Sequence, residues 1–541
     1  MNGVANQVLP RKICGIGAGI LGVPTCTVLA LQCPEMQVHV VDEDQDLVSR
    51  WNSECLPIDE PGLRDALKKC IGVNLTISTN VDHHLSDADI ILICVNTPAK
   101  SLGVGRGRAA DLSSIEKVAR LIARTNQTSA ITVVLSTVPI GATDHISQIL
   151  HANGNDASKF VVLSNPHFIS EGQVMHDLLQ PDHVIIGGDL QSNRSLHAIN
   201  LLKQIYTRWV PDQKIVTVST RSAEVSKLVT NAFLAQRVSS VNALSGLCEE
   251  TAADVRQVAE AVGRDVRVGP YFLQASLGFG GNTLPKDVRH LVYMCESLNL
   301  PVVANYWGSV LAVNDYQVSR FFRKITAHFC ETLGDKRIAL FGCTFKAGTP
   351  DVCDSPAITI CSRLVKEKAT VTIYDPLARK DETFDAISGQ LGGTSVGQQV
   401  IWCASPAEAA AGADGIIICT NLDEFKTLDY AKIYASMRKP ASLFDGRLIV
   451  DHRHLMKIGF RVEAVARNIR FITTGQDTAF IATVAFSVEE VRRILSQIKP
   501  DKSPGSDGIP ELILKELSKE LAKPLLILFE LSMRTGKLPS Q

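Results

Sequence analysis

The sequence predicts an α/β protein with two Rossmann-like parallel-sheet domains joined by a long central helix. Three observations carry this expectation. Short apolar runs alternate with helical patterns through most of the chain, as strands buried between two layers of helices do. The first apolar run passes into Gly17-Ala18-Gly19-Ile20-Leu21-Gly22, a glycine-rich turn of the kind that joins a strand to a helix. Between two alternating blocks the pattern changes to a single stretch with helical spacing.

In chain order, residues 13–17, 38–42, 90–95, 131–135 and 161–164 read as strands of a first sheet, and 184–187 adds another. Residues 222–247 hold no Gly or Pro before Gly246 and place Val225, Leu228, Val229, Phe233 and Leu234 at helical intervals, so they form the connecting helix. A second alternating block begins at Arg337, with strands at 338–341, 371–375, 416–420 and 442–444. From about Ala485 the texture shifts to Glu-, Lys- and Leu-rich helices around 502–510. The boundaries drawn from these changes are 1–215, 216–330, 331–475 and 476–541.

A chain of 541 residues exceeds what one core supports, so about three domains are expected. With 45% hydrophobic and 21% charged residues and a net charge of -1, nothing electrostatic points to nucleic acid or an anionic membrane as partner. No apolar run approaches the ~18 residues needed to span a bilayer, and residues 1–12 lack the core of a signal peptide. The fourteen cysteines form no C-x-x-C pair and often sit inside apolar runs (Cys94, Cys343, Cys419), which predicts buried reduced thiols, no metal site and a cytoplasmic location.

The glycine turn permits close backbone approach to a pyrophosphate whose charge meets the helix N-terminus. Gly17, Gly19 and Gly22 therefore become cofactor-binding candidates. The second strand ends in Asp42, where a carboxylate can take the ribose hydroxyls of NAD and repel the extra phosphate of NADP. Val95-Asn96-Thr97-Pro98 and Ser136-Thr137-Val138-Pro139 each follow an apolar strand. Ligands of open sheets bind outside the carboxyl ends of strands, so Val95, Asn96, Thr97, Ser136 and Thr137 join the same pocket, although two ordinary turns with hydroxyl caps would look alike.

The run Gly278-Phe279-Gly280-Gly281-Asn282-Thr283-Leu284-Pro285-Lys286-Asp287 resembles the active-site loop of the UDP-glucose 6-dehydrogenases, whose pattern is G-F-G-G-S-C-F-x-K-D. The resemblance extends from residue 12 to about 466. It includes Leu56-Pro57-Ile58-Asp59-Glu60-Pro61-Gly62-Leu63, Gly105-Arg106-Gly107-Arg108-Ala109-Ala110-Asp111, Asn231-Ala232-Phe233-Leu234-Ala235-Gln236-Arg237 and Phe444-Asp445-Gly446-Arg447. It implies an NAD-dependent oxidation of UDP-glucose to UDP-glucuronate in two hydride transfers, an NAD domain, a central dimerisation domain and a UDP-sugar domain.

Carried over by position, the resemblance gives Lys227 and Asn231 as substrate-holding and charge-stabilising groups. Four residues apart, they share one face of a helix. Asp287 matches the acid that positions water, and Thr137, Glu171 and Lys286 match cofactor-side or catalytic positions. Phe279 and Gly280 would line the sugar pocket, and Phe345, Lys346 and Arg447 would face the nucleotide. Arg267 is similar to the arginine lent by a neighbouring subunit, which implies a homo-oligomer or assembly with an intact paralogue.

The departures from the pattern cluster at the chemistry. Thr283 occupies the position of the nucleophilic cysteine. A thiol of pKa near 8.5 yields a reactive thiolate, whereas a threonine hydroxyl needs an adjacent base. His167 stands where the family has glutamate, and a histidine can accept a proton near neutral pH. Cys353 and Leu47 replace two cofactor-side arginines, and Ala347, Pro350, Asn421 and Leu422 also differ. The expectation is an impaired dehydrogenase, with a non-catalytic binder of NAD and UDP-sugar or a degenerate chimeric gene product as alternatives. The segment from Phe486, with Lys502-Ser503-Pro504-Gly505-Ser506-Asp507-Gly508-Ile509-Pro510, resembles the start of a retrotransposon reverse transcriptase and stops before that family's metal-binding aspartates.

Overall fold

The computed structural model describes residues 10–58, 60–128, 130–154, 160–393, 397–466, 488–496 and 517–525. The chain divides into two compact units, Met1–Ile469 and Arg470–Gln541.

The first unit opens with eight strands: β1 (Lys12–Ile16), β2 (Gln37–Val41), β3 (Leu75–Ser78), β4 (Ile90–Ile93), β5 (Ile131–Val134), β6 (Val161–Ser164), β7 (Val184–Gly188) and β8 (Ile215–Ser219). They lie in the order β3-β2-β1-β4-β5-β6-β7-β8. Every residue of β4 and β5 is buried, as expected of strands covered by helices on both faces. From β1 the chain proceeds to β2 on one side and later to β4 on the other, so the switch point lies beside the glycine turn.

The second sheet comprises β9 (Arg337–Phe341), β10 (Thr370–Tyr374), β11 (Val400–Trp402), β12 (Gly415–Ile418), β13 (Ser442–Asp445) and β14 (Arg461–Ala464). Its order is β11-β10-β9-β12-β13-β14 and it is parallel throughout.

Between the sheets lie the central helix Thr220–Glu250, a shorter helix Leu284–Ser297 and a second long helix Pro301–His328. Ala232, Ala235, Phe279, Val288, Leu291 and Trp307 form part of their shared core. The Ser219 hydroxyl caps the central helix by accepting from the Ser222 N–H. One turn on, the buried Glu224 carboxylate accepts from Gly141 N (2.7 Å) and Thr143 N (2.8 Å). It thereby caps the helix Ala142–Asn153 of the first sheet domain, where negative charge meets the positive end of the helix.

Three details depart from the sequence expectation. The first sheet is not wholly parallel, because the 165–183 connection returns β7 antiparallel to β6. Strands β3, β8, β11 and β14 carry little or no apolar run and escaped the pattern. The first sheet continues to Ser219, four residues beyond the boundary drawn at 215.

In the second unit, helix Val488–Ser496 places Val491 and Leu495 against Ala522. The Lys502–Pro510 motif lies outside the described residues, as does Asp59.

Candidate functional site

The cofactor edge is built by the glycine turn. Gly17 adopts φ +107, and a Cβ there would stand 3.0 Å from the Cys94 carbonyl carbon and oxygen. A Cβ on Gly22 would lie 1.9 Å from the Gly17 oxygen, whereas one on Gly19 would meet nothing within 4 Å. Two glycines are thus required by close packing, and the third leaves open space at the helix N-terminus. The Asp42 carboxylate accepts from Ala18 N (2.7 Å) and Asp44 N (3.0 Å), so it stands beside that turn at the end of β2. Open space at the helix N-terminus and a carboxylate at the ribose position fit NAD. Leu47 is turned onto the first core.

The other two strand ends form the neighbouring wall. Thr97 Oγ1 donates to Thr137 O (2.7 Å), and Ser136 Oγ donates to Val95 O (2.7 Å). Lys286 Nζ donates to Thr97 O (3.3 Å), which joins the helix after the Gly278–Asp287 run to this wall. Asn96 is exposed beside them.

The chemical centre lies where the two helices face each other. Asn231 Nδ2 donates to Asp287 Oδ2 (2.6 Å), and the Asp287 residue is 2% exposed. Lys227, one helical turn before Asn231, is buried with its ammonium 4.9 Å from the Phe168 ring centroid. Burial pulls its pKa below the usual lysine value, against the opposing charge of Asp287. Thr283 is the N-cap of the Leu284–Ser297 helix, exposed, and its side chain makes no capping hydrogen bond. Asp287 follows four residues later, its N–H donating to Thr283 O (3.0 Å). The structure thus brings Lys227, Asn231 and Asp287 together, with Thr283 one helical turn before Asp287.

His167 does not behave as expected. Tyr206 donates its hydroxyl proton to Asn165 Oδ1 (2.6 Å), and Asn165 is oriented by its Nδ2 bond to Ile185 O (2.7 Å). The phenol oxygen must therefore accept from His167 Nε2 (3.0 Å). Nδ1 is left facing Thr25 Oγ1 at 3.4 Å. Burial, reinforced by Lys227, lowers the His167 pKa to about 4. The ring is therefore held in one tautomer, with Nδ1 carrying the lone pair, and burial makes it a weaker base than an ordinary histidine.

Glu171 is held by Thr349 Oγ1, which donates to it at 3.1 Å, and burial, then Asp351, raise its pKa. A Cβ on Gly172 would lie 2.5 Å from Gly348 O, so the 165–172 loop meets the turn after β9 directly.

At the second sheet, Arg447 donates to the carbonyls of Cys419 and Phe345, and the Phe345 ring lies over Gly281. Lys346 lies near Glu171 and Glu60, and burial lowers its pKa. The Phe279 ring is taken into the helical core, and its backbone N–H and carbonyl are both bonded by the Asn314 amide (2.9 and 3.0 Å). Gly280 is required by close approach, since a Cβ would stand 2.4 Å from Asp354 O. Arg267, with a side chain 86% exposed, pairs with Asp265 and lies on the central domain's surface. Cys353 donates to Asn282 Oδ1 (2.9 Å), beside Thr283, but burial and neighbouring aspartates raise its pKa to about 11.

Three family models match this chain in order. Residues 11–210 match the NAD binding domain of the UDP-glucose/GDP-mannose dehydrogenase family, 221–316 its central domain and 339–452 its UDP binding domain. The chain belongs to that family. NAD is its cofactor, and the second sheet is its UDP-binding domain.

Relatives include UDP-glucose 6-dehydrogenase of Drosophila melanogaster, 46% identical over 459 residues, covering 84% of this chain and 96% of the relative. That of Rattus norvegicus is 46% identical over 463 residues, covering 85% and 94%. Among solved structures, a UDP-glucose dehydrogenase from Pyrobaculum islandicum superposes with a TM-score of 0.73 at 27% identity, covering 86% of this chain and all of that one.

Several residues of this dehydrogenase-family site were not singled out from sequence. Glu224 and Tyr206 act on partners 39 to 83 positions away. Glu60, known before only as part of a matching string, accepts from Gly172 N and Val174 N. Among the described residues no helix is long and apolar enough to cross a membrane, and no cluster suited to a metal ion is present. All fourteen cysteines are free thiols, eleven of them buried.

Proposed function

We propose that this chain is a UDP-glucose 6-dehydrogenase whose oxidation is impaired after the first hydride transfer. The observation that carries this is the contrast within one site. Lys227, Asn231 and Asp287 are held together and buried, while the neighbouring nucleophile position is an exposed threonine.

Gly17, Gly19, Gly22 and Asp42 bind the cofactor, with Val95–Thr97, Ser136, Thr137, Glu171 and Lys286 around it. When bound, the cofactor supplies the hydride acceptor. Lys227 and Asn231 hold the sugar hydroxyl and stabilise charge on its oxygen. Their attraction for an oxyanion grows as negative charge develops in a dry site. Phe345, Lys346 and Arg447 hold the diphosphate, for which fixed cations are suited. Converting aldehyde to acid by covalent capture requires a nucleophile, and Thr283 offers a protonated hydroxyl on a branched carbon.

The site is completed by a second copy of this chain or of an intact paralogue, which lends the residue equivalent to Arg267. Support comes from the exposure of Arg267 and of Phe233, Leu247, Tyr271 and Val302 on the same central domain. The alternative, a non-catalytic binder of NAD and UDP-sugar, is favoured by the burial of His167 beside Lys227, which weakens it as a base. We assign no role to residues 476–541, and a transcript read spanning 470–490 tests whether they belong to the same message.

The two alternatives separate in Thr283→Cys. Partial UDP-glucuronate formation by that variant supports an impaired enzyme, and continued silence with both ligands bound supports the binder.

A further inference from the structure

A cavity of about 10 Å³ lies behind the chemical centre, lined by Thr97, Arg108, Thr137, Lys286, Asp287 and His290 among others. That volume matches about one water, and a water there needs two to four polar partners.

His290 is three residues after Asp287 on the same helix, so the two lie on one face. It is buried, with its Nδ1 3.1 Å from Arg108 O. A carbonyl accepts and never donates, so the proton sits on Nδ1 and Nε2 carries the lone pair. That Nε2 is a buried acceptor with no hydrogen-bond partner. An orphaned acceptor in a polar cavity of this size is a site for a donor, and buried polar groups left unmatched are rare. Asp287 Oδ2 already accepts from Asn231 Nδ2 (2.6 Å).

We propose that His290 is a second positioning residue of the acid–base centre, joined to the Asp287 carboxylate through one buried water that donates one hydrogen to His290 Nε2 and the other to Asp287. The role of Asp287 rests on the proposed function; the water and its two partners do not. In this arrangement a proton taken up by Asp287 can pass to the water while the water passes one of its own to Nε2. The water is unchanged in composition, and the charge moves to an imidazole. Lys286, on the same helix, is the cation near this ring, while the Arg108 guanidinium is paired with Glu296 (2.7 Å). Asp287 is the anion. Burial lowers the His290 pKa, while the Arg108 carbonyl and Asp287 act against that.

Two measurements test this without turnover. A crystal structure of the full chain is expected to contain one ordered water within hydrogen-bond distance of both His290 Nε2 and an Asp287 oxygen. A dry cavity, or the Lys286 ammonium seated on Nε2, overturns the proposal. In the second, all histidines are labelled at Cε1 and titrated by NMR, with His290 assigned by loss of its signal in His290→Asn. Asp287→Asn should move its midpoint down by about one pH unit, since an acid coupled through one water stabilises the imidazolium. An unmoved midpoint shows that the two groups are not coupled. Should UDP-glucose oxidation prove absent, both results still stand on their own.

Discussion

Acidification provides a sharp probe of His167. In the folded chain its pKa is lowered to about 4 from the ordinary 6.5, by burial and by Lys227. The unfolded chain binds a proton below pH 6.5 and the folded one does not until about pH 4. Stability is therefore fully present above pH 6.5 and falls as the pH drops through the window from 6.5 to 4. At about 1.4 kcal/mol per pH unit the loss between pH 7 and pH 5 is about 2 kcal/mol. His39, stacked on His84 at 4.2 Å and also lowered to about 4, adds to the parent's acid sensitivity. It does so equally in a His167 variant and cancels from the difference. His167→Gln keeps a donor for the Tyr206 oxygen but cannot titrate. In urea denaturation at pH 7 and pH 5, the parent's midpoint should drop by about 1 M more than the variant's, for an m-value near 2 kcal/mol/M. Equal drops would mean that His167 titrates normally, and it would then return as a base available at neutral pH.

Other outcomes follow from the same contacts. Calorimetry should find NAD bound in preference to NADP, because Asp42 repels the added phosphate, and equal affinities would remove Asp42 from that role. Gly22→Ala forces a Cβ to within 1.9 Å of the Gly17 oxygen and should abolish measurable NAD binding, which an unchanged titration would contradict. Glu224→Gln weakens the cap on the helix Ala142–Asn153 and should cost about 1–2 kcal/mol in chemical denaturation. Thr283→Cys should recover UDP-glucuronate formation in part only, since His167 and Leu47 remain, and full recovery would show that neither matters.

Much of the fold was legible because buried parallel strands must be apolar end to end. β1, β4 and β5 announced themselves this way, and the glycine turn and Asp42 fixed the cofactor edge. The strands that were missed lie toward sheet edges or are short. β8 has one buried residue in five, β11 has three residues in all, and β14 alternates in the sequence Arg461-Val462-Glu463-Ala464. In the site, Lys227, Asn231 and Asp287 were legible through their spacing and motif. The weakened basicity of His167 was not, because it comes from burial and from Lys227, which the fold alone brings to the ring. Phe279 was assigned to a pocket by resemblance, but an aromatic ring among alanines and leucines gains more by burial in the helical core.

Under the proposed function this chain holds the first half of the family's chemistry without the nucleophile for the second. The most direct measurement is the number of NADH released per UDP-glucose by the purified full chain. No more than one NADH per sugar, with little or no UDP-glucuronate, is the predicted result. Two NADH per sugar would show that Thr283 or another group captures the aldehyde, and would contradict an impaired enzyme.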